Sequence, residues 1–82
     1  MKRSKAPSIL VPVRDPKFIK QLGQQIRYQR KKAGLTAKDL AKKAYVYPVD
    51  ISEIENGKVP NVSLRKIQQI ATALEIPLKD LF

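Results

Sequence analysis

Apolar residues recur every three or four positions along most of this chain, which is the spacing typical of amphipathic helices. Asp15 and Pro16 predict the start of the first helix, because the carboxylate can cap free amides and proline needs no N–H at the first helical position. Gly34 predicts the end of this helix after about Ala33. Its apolar positions are Phe18, Ile19, Leu22, Ile26 and Ala33.

Two short helices follow in the segment LTAKDLAKKAYVYPVDISEIENGK. Thr36, with Asp39 three residues later, resembles a capping box and predicts a helix over about Ala37 to Ala44. Pro48 predicts the start of the next helix, which covers about Pro48 to Asn56, so that residues 45–47 form a tight turn. Helices this short need a scaffold to be stable. Their inward faces comprise Leu40, Ala41, Ala44, Ile51 and Ile54.

The remaining chain predicts two more helical segments and an N-terminal arm. Asn61 is a good N-cap for a fourth helix that ends near Leu74, and Pro77 opens a last short turn of helix, Leu78 to Phe82. Residues 1–14 contain two prolines and show no helical period, so we expect an extended basic arm before a domain of residues 15–82. The predicted fold class is all-α: a five-helix domain with an extended N-terminal arm.

The arm combines basic residues with four apolar ones, which is unusual for a solvated tail. The apolar residues are Ile9, Leu10, Val11 and Val13. Either they lie against the helices of their own domain or they pair with a second subunit, and both interpretations stay open. The basic residues Lys2, Arg3 and Lys5 suit an arm that follows a DNA minor groove, with a disordered tail as the alternative.

The formal net charge of +10 lies almost wholly in the first part of the chain. Residues 1–34 contain ten Lys and Arg against one acid, a net +9, whereas residues 35–82 contain seven against six acids, a net +1. A basic protein usually binds a polyanion, most often nucleic acid, while an acidic membrane surface or an acidic protein is the competing partner. The segment of two short helices belongs to the nearly neutral part.

Cysteine and histidine are both absent from the chain. Without them no disulfide, thiolate nucleophile or usual zinc site forms, and the four serines lack a recognisable base arrangement, so we expect neither enzyme activity nor a cofactor. No apolar run reaches the roughly 18 residues of a membrane span, and the N-terminus lacks the apolar stretch of a signal peptide. We therefore expect a cytoplasmic protein without a membrane partner.

Four segments carry a family likeness: IRYQRKKAGLT, DLAKKA, ISEIENGK and SLRKIQQIATALEIPLKDLF. From about Leu22 to Phe82 the chain resembles the Cro/phage-repressor helix-turn-helix family, particularly short single-domain members such as controller proteins of restriction-modification systems. A lone helix-turn-helix pattern is weak, but one framed by helices on both sides is specific. The resemblance implies a phage-repressor-like DNA-binding fold.

The resemblance also implies a partly buried, structural ion pair between Arg30 on the first helix and Glu55 at the end of the third. Two positions depart from the family pattern, since Ala37 replaces a frequent Gln and Tyr45 replaces a turn Gly. Because tyrosine is uncomfortable at positive φ, we expect this turn to be built differently. The Tyr45 side chain suits a phosphate contact or stacking on a partner, and packing against the first helix is the alternative that we favour for it.

By resemblance, the outward positions of the third helix read DNA bases. The usual pairings of Arg with guanine and of Asn or Gln with adenine are missing there. Val49 suits a thymine methyl, Ser52 several base edges and Glu53 the N4 of cytosine. Pro48 is the fourth outward position, and Asp50 lies beside this face. The carboxylates of Asp50 and Glu53 repel phosphate.

Contacts to the DNA backbone are predicted for residues around the short helices. For any one lysine a solvated surface charge is the ordinary interpretation, but the collective excess of cations favours phosphate binding. Tyr47 suits a phosphate contact or stacking on a partner. The predicted backbone residues are Arg27, Lys42, Lys43, Tyr47, Asn56 and Lys58.

The leading hypothesis is a sequence-specific DNA-binding transcriptional regulator that acts as a homodimer on double-stranded DNA. Its two third helices would enter successive major grooves about 34 Å apart. The alternative is a protein-interaction module, antitoxin-like or an adaptor, on the same fold. Binding of nucleic acid without sequence preference stands between the two.

Overall fold

The computed structural model describes residues 12–82. Residues 1–11, and with them Lys2, Arg3, Lys5 and the apolar residues 9–11 of the predicted arm, lie outside the described residues. The elements are β1 (Pro12–Val13), α1 (Pro16–Lys32), α2 (Ala37–Ala44), α3 (Pro48–Glu55), β2 (Val62–Ser63), α4 (Leu64–Leu74) and a 3₁₀ helix (Leu78–Leu81). Among the described residues, no helix is long and apolar enough to cross a membrane.

The first three helices begin where the sequence predicts, α1 and α2 at the predicted caps and α3 at Pro48. The Asp15 carboxylate accepts a hydrogen bond of 3.0 Å from the Lys17 N–H at the start of α1. At the start of α2, the Thr36 hydroxyl accepts from the Asp39 N–H at 3.0 Å, and the Asp39 carboxylate accepts from the Thr36 N–H at 3.1 Å. These bonds satisfy amides that have no partner within the helix, and they fix where each helix starts.

The start of α4 and the form of the C-terminal element differ from the prediction. Ser63, not Asn61, is the N-cap, and its hydroxyl accepts from the Lys66 N–H at 3.1 Å. The reason is that Val62–Ser63 pairs antiparallel with Pro12–Val13 and keeps the chain extended up to Ser63. The all-α class is confirmed, but the C-terminal segment is a 3₁₀ helix, so residues 12–82 contain four α-helices rather than five.

A single apolar core joins the helices. α2 packs on α3 and α4, α1 crosses α3, and the 3₁₀ helix packs on α1 and α4. None of the fully buried side chains within residues 12–82 is polar. The buried residues include every predicted inward position of α2 and α3 and complete the core with Ile19, Leu22, Ile26, Val62, Ile67, Ile70, Ala71, Leu74 and Leu81. This core holds α3 at the surface with one side free.

The last apolar residue of the predicted arm, Val13, belongs to the domain. Val13 is half-buried, packs against the core and pairs in register with Val62. For Val13, the packing against its own domain is therefore the correct alternative. The short β1–β2 ladder also ties the chain before α1 to the start of α4.

Candidate DNA interface

The free side of α3 carries the predicted base-reading residues. Ile51 and Ile54 are buried, whereas Val49, Ser52 and Glu53 are exposed. The exposed three lie at positions i, i+3 and i+4, so they share one helix face. The structure therefore brings the three predicted readers together on a surface that points away from the core.

A partly buried ion pair joins α3 to α1, as the resemblance predicts. Arg30 Nε donates to Glu55 Oε2 at 2.7 Å, and Nη2 of the same guanidinium donates to Oε1 at 3.0 Å. Arg30 Nη1 also donates to the Leu35 carbonyl oxygen at 2.9 Å, which ties down the loop before α2. The two side chains are only 12% and 5% exposed. The hydrogen bond with Glu55 raises the pKa of Arg30, so the guanidinium stays charged.

α1 and α3 approach each other most closely at Gly23. A Cβ on this residue would contact the Ile54 carbonyl oxygen and lie 3.1 Å from the Glu55 Cα. Gly23 thus allows the backbone of α1 to lie directly on the last turn of α3.

The same edge of α1 brings cations to the C-terminal end of α3. Lys20, Gly23, Arg27 and Arg30 recur at i, i+3, i+7 and i+10, so they lie along one edge of the helix. The Lys20 Cα is 3.8 Å from where a Cβ of Gly57 would lie. Lys20 is therefore a further candidate for a phosphate contact that the sequence analysis missed, although its spacing from Arg27 pointed to it.

Asp50 does not act as a free charge on the reading face. Its carboxylate accepts a hydrogen bond from the Tyr47 N–H at 3.1 Å and lies 3.7 Å from Lys66 Nζ. The side chain is partly buried. The predicted repulsion of phosphate by Asp50 is therefore reduced, because the carboxylate caps α3 and is paired with a cation.

The turn between α2 and α3 corrects two expectations about Tyr45. This residue adopts the left-handed conformation, φ 60° and ψ 40°, so the turn has the ordinary helix-ending geometry despite the lack of glycine. The Val46 N–H donates to the Ala41 carbonyl at 3.0 Å, and Gln69 Nε2 donates to the Ala44 carbonyl at 3.1 Å. These bonds hold the turn. The Tyr45 side chain is 89% exposed and does not pack on α1.

The remaining predicted backbone-contacting residues lie around α3. Lys42 and Lys43 are exposed in the last turn of α2, before the turn that leads into α3. Tyr47 is exposed at the N-cap of α3, and Lys58 is exposed just after its C-terminus. Asn56 uses one amide N–H to cap α3, since its Nδ2 donates to the Ser52 carbonyl at 2.8 Å. Cations are thus available near both ends of α3.

The helix α3 exposes one face, packs against α1 and α2 with the other, and has cations near both ends. This arrangement is typical of DNA-binding helix-turn-helix domains. The description "Helix-turn-helix" belongs to the family whose profile matches residues 26–81. The chain belongs to this helix-turn-helix family, of the Cro/phage-repressor type, and is a DNA-binding transcription regulator rather than an enzyme. Double-stranded DNA is its partner.

Solved structures with the same fold include two regulators. The restriction-modification controller protein C.AhdI from Aeromonas hydrophila is 34% identical, with a TM-score of 0.75 over 78% of this chain and 96% of its own. The clp gene regulator ClgR from C. glutamicum is 30% identical, with a TM-score of 0.75 over 82% of this chain and 86% of its own. Among curated proteins, none matches the chain.

Proposed function

We propose that this protein is a sequence-specific transcriptional regulator that binds its operator as a homodimer. The observation that carries the proposal is the exposed face of α3, where Val49, Ser52 and Glu53 lie together while Arg30 and Glu55 fix the helix from behind. A reading helix must be held rigidly, because contacts to base edges depend on its position in the groove. C.AhdI and ClgR are themselves a controller protein and a gene regulator, which supports the regulatory role.

The phosphate contacts are assigned to cations at both ends of α3. Lys20, Arg27 and Lys58 flank its C-terminus, and Lys42 and Lys43 precede its N-terminus. A helix in the major groove lies between two phosphate backbones, so cations at its two ends meet both strands. The basic arm, with Lys2, Arg3 and Lys5, adds charge that suits the neighbouring minor groove.

The dimer interface is assigned to the side of the domain away from α3. Phe82 is 54% exposed there, and its ring centroid is 4.9 Å from that of Phe18. The two rings border a groove of about 240 Å³ between α1 and the 3₁₀ helix, with Leu22 and Leu81 among its lining residues. Gln21, Gln24 and Gln25 complete the lining, so a second copy docked on this surface leaves both α3 helices free and covers the exposed Phe82 ring together with polar side chains.

Selection of duplexes from a random-sequence pool by the full chain, followed by fluorescence-anisotropy titration in rising salt, tests the proposal. We expect a consensus of two related half-sites about one helical turn apart, and a selected duplex that outcompetes a scrambled duplex of the same composition by at least about 10³-fold. A steep salt dependence with equal affinity for both duplexes would contradict sequence specificity and indicate binding through phosphates alone.

One observation favours the alternative of a protein-interaction module. The exposed Tyr45 borders a largely apolar groove of about 230 Å³ between α2 and α4, and the cations Lys43 and Arg65 lie at the same groove. An acidic protein segment with an apolar anchor would complement this surface. Absence of DNA binding even at low salt in the titration above would favour this function over the regulator.

A further inference from the structure

Val49 occupies the centre of the exposed face of α3. Buried Ile51 and Ile54 form the opposite side of the helix, while Ser52 and Glu53, three and four residues after Val49, lie on either side of it. The Val49 side chain is 56% exposed. When α3 enters a major groove by this face, the side chain that leads is therefore an isopropyl group.

Two polar groups near Val49, the Asp50 carboxylate and the Asn56 amide, are held in other contacts, whereas the side chains of Ser52 and Glu53 are exposed one turn further along α3. The Asp50 carboxylate accepts from the Tyr47 N–H and lies near Lys66 Nζ, and the Asn56 amide donates to the Ser52 carbonyl. Tyr47, which is 75% exposed, and the exposed Pro48 adjoin Val49 instead. The first turn of α3 thus presents a mainly apolar surface, which we name the Tyr47–Val49 surface after its three residues.

The edges of the base pairs in the major groove display hydrogen-bond donors and acceptors, together with one apolar group, the methyl on C5 of thymine. An isopropyl group against a donor or acceptor removes its water without replacing the hydrogen bond, which is unfavourable. Against a methyl group, the same contact removes apolar area from water, which is favourable. The Tyr47–Val49 surface therefore distinguishes a 5-methylated pyrimidine from an unmethylated one.

We propose that α3 recognises each operator half-site through the 5-methyl group of a pyrimidine, with Val49 in contact with that methyl and the Tyr47 ring beside it. The inference rests on the proposed function, since α3 must enter the major groove. A cytosine methylated at C5 presents the same group, so the ligand is a C5 methyl whether thymine or 5-methylcytosine supplies it.

The test uses the duplex selected from the random pool and the full chain. Each thymine is replaced in turn by uracil, which removes the methyl and keeps the base pairing. We expect about a fourfold loss of affinity at one or two thymines in each half-site, the effect of one exposed methyl group. At those positions, a duplex with a 5-methylcytosine–guanine pair is expected to bind the protein about fourfold tighter than a duplex with a cytosine–guanine pair. Without this gain, thymine alone supplies the recognised methyl group.

Two variants connect the effect to the protein. In Val49→Ala the thymine-to-uracil ratio at the sensitive positions is expected to fall toward one, whereas Tyr47→Phe, which keeps the ring, is expected to retain it. Both side chains are exposed, and circular dichroism checks that the fold is kept. A clear consensus with equal affinity for thymine and uracil everywhere, or a ratio unchanged in Val49→Ala, overturns this inference alone. A pool that yields no consensus overturns the proposed function as well.

Discussion

At the scale of single residues, the strongest constraint on α3 comes from Arg30. Its guanidinium holds the Glu55 carboxylate through two hydrogen bonds and the Leu35 carbonyl through a third. One side chain thereby fixes the end of α3 and the loop before α2. The family resemblance predicted this ion pair. It did not predict the third hydrogen bond, because every residue has a backbone carbonyl and the sequence does not indicate which of them lies beside Arg30.

Glu55→Ala is expected to lower the free energy of unfolding by about 1 to 3 kcal/mol, because it removes two charge-assisted hydrogen bonds and leaves the partly buried Arg30 guanidinium with the Leu35 carbonyl alone. Urea unfolding measures the change. Lys31→Ala, on the exposed side of α1, serves as the control and is expected to change stability by less than about 0.5 kcal/mol. A Glu55→Ala protein as stable as this control would show that the pair does not hold α3.

Tyr45→Gly is expected to stabilise the domain by about 1 kcal/mol. Tyrosine is strained at φ 60°, glycine is not, and the exposed ring makes few contacts that the substitution would remove. The matched control is Tyr47→Gly, where the backbone is extended at φ −83° and no strain is relieved. Thermal unfolding of both variants measures the change in stability. Equal changes in Tyr45→Gly and Tyr47→Gly would mean that the left-handed conformation of Tyr45 does not destabilise the fold.

Residues 45 and 50 mark the limit of sequence-based prediction at this scale. Tyr45 was predicted to avoid the left-handed conformation, but bonds from Val46 and from Gln69 of α4 support that turn. Asp50 was predicted to face phosphate, but its partner Lys66 belongs to a helix that comes later in the chain. Both errors come from tertiary contacts that no local pattern contains.

At the scale of elements, the starts of α1, α2 and α3 were predictable because their signals are local. Asp15 with Pro16, Thr36 with Asp39, and Pro48 each act within one helical turn. The start of α4 was not predictable in this way, because Val62–Ser63 is held extended by pairing with residues about fifty positions earlier in the chain. The close packing of α1 on α3 at Gly23 was also missed, since a glycine within a helix does not by itself reveal what lies against it.

Gly23→Ala is expected to destabilise the domain by about 1 to 3 kcal/mol, because the new methyl group meets the backbone of Ile54 and Glu55. Elsewhere in a helix the same change stabilises by about 1 kcal/mol, so the sign of the effect identifies the close contact. Denaturant unfolding gives that sign. Gln24→Ala, at the exposed neighbouring position, is the control, and a stabilised Gly23→Ala protein would refute the packing described for α1 and α3.

The capping box of α2 is expected to contribute stability that depends on pH. The bonds from Thr36 lower the pKa of Asp39 below its usual value of 3.8. A depressed carboxyl pKa stabilises the fold above the unfolded-state value, and this contribution is lost as the pH falls through the folded-state value. The stability difference between the wild type and Asp39→Asn, measured by urea unfolding, should therefore be larger at pH 7 than in acid below the folded-state pKa. A difference independent of pH would exclude an ionised cap.

At the scale of the whole molecule, most of the net positive charge and the proposed base-reading face of α3 lie in different parts of the chain. The first 34 residues carry a net +9, whereas the part that contains α3 is nearly neutral. Under the proposed function, we expect affinity for any duplex to depend on the cations of α1, α2 and the loop after α3, and preference for one duplex to depend on three side chains of α3. The sequence composition shows the charge difference directly. The family resemblance predicted Val49, Ser52 and Glu53 as the base-reading residues, and this assignment stays a prediction.

The most direct test of this separation compares the selected and the scrambled duplex across variants in rising salt. We expect Ser52→Ala and Val49→Ala to weaken binding of the selected duplex and to leave the scrambled duplex unchanged. Lys43→Ala should weaken both duplexes alike and flatten the salt dependence by about one phosphate contact. Equal losses on both duplexes for all three variants would contradict direct reading of DNA by α3.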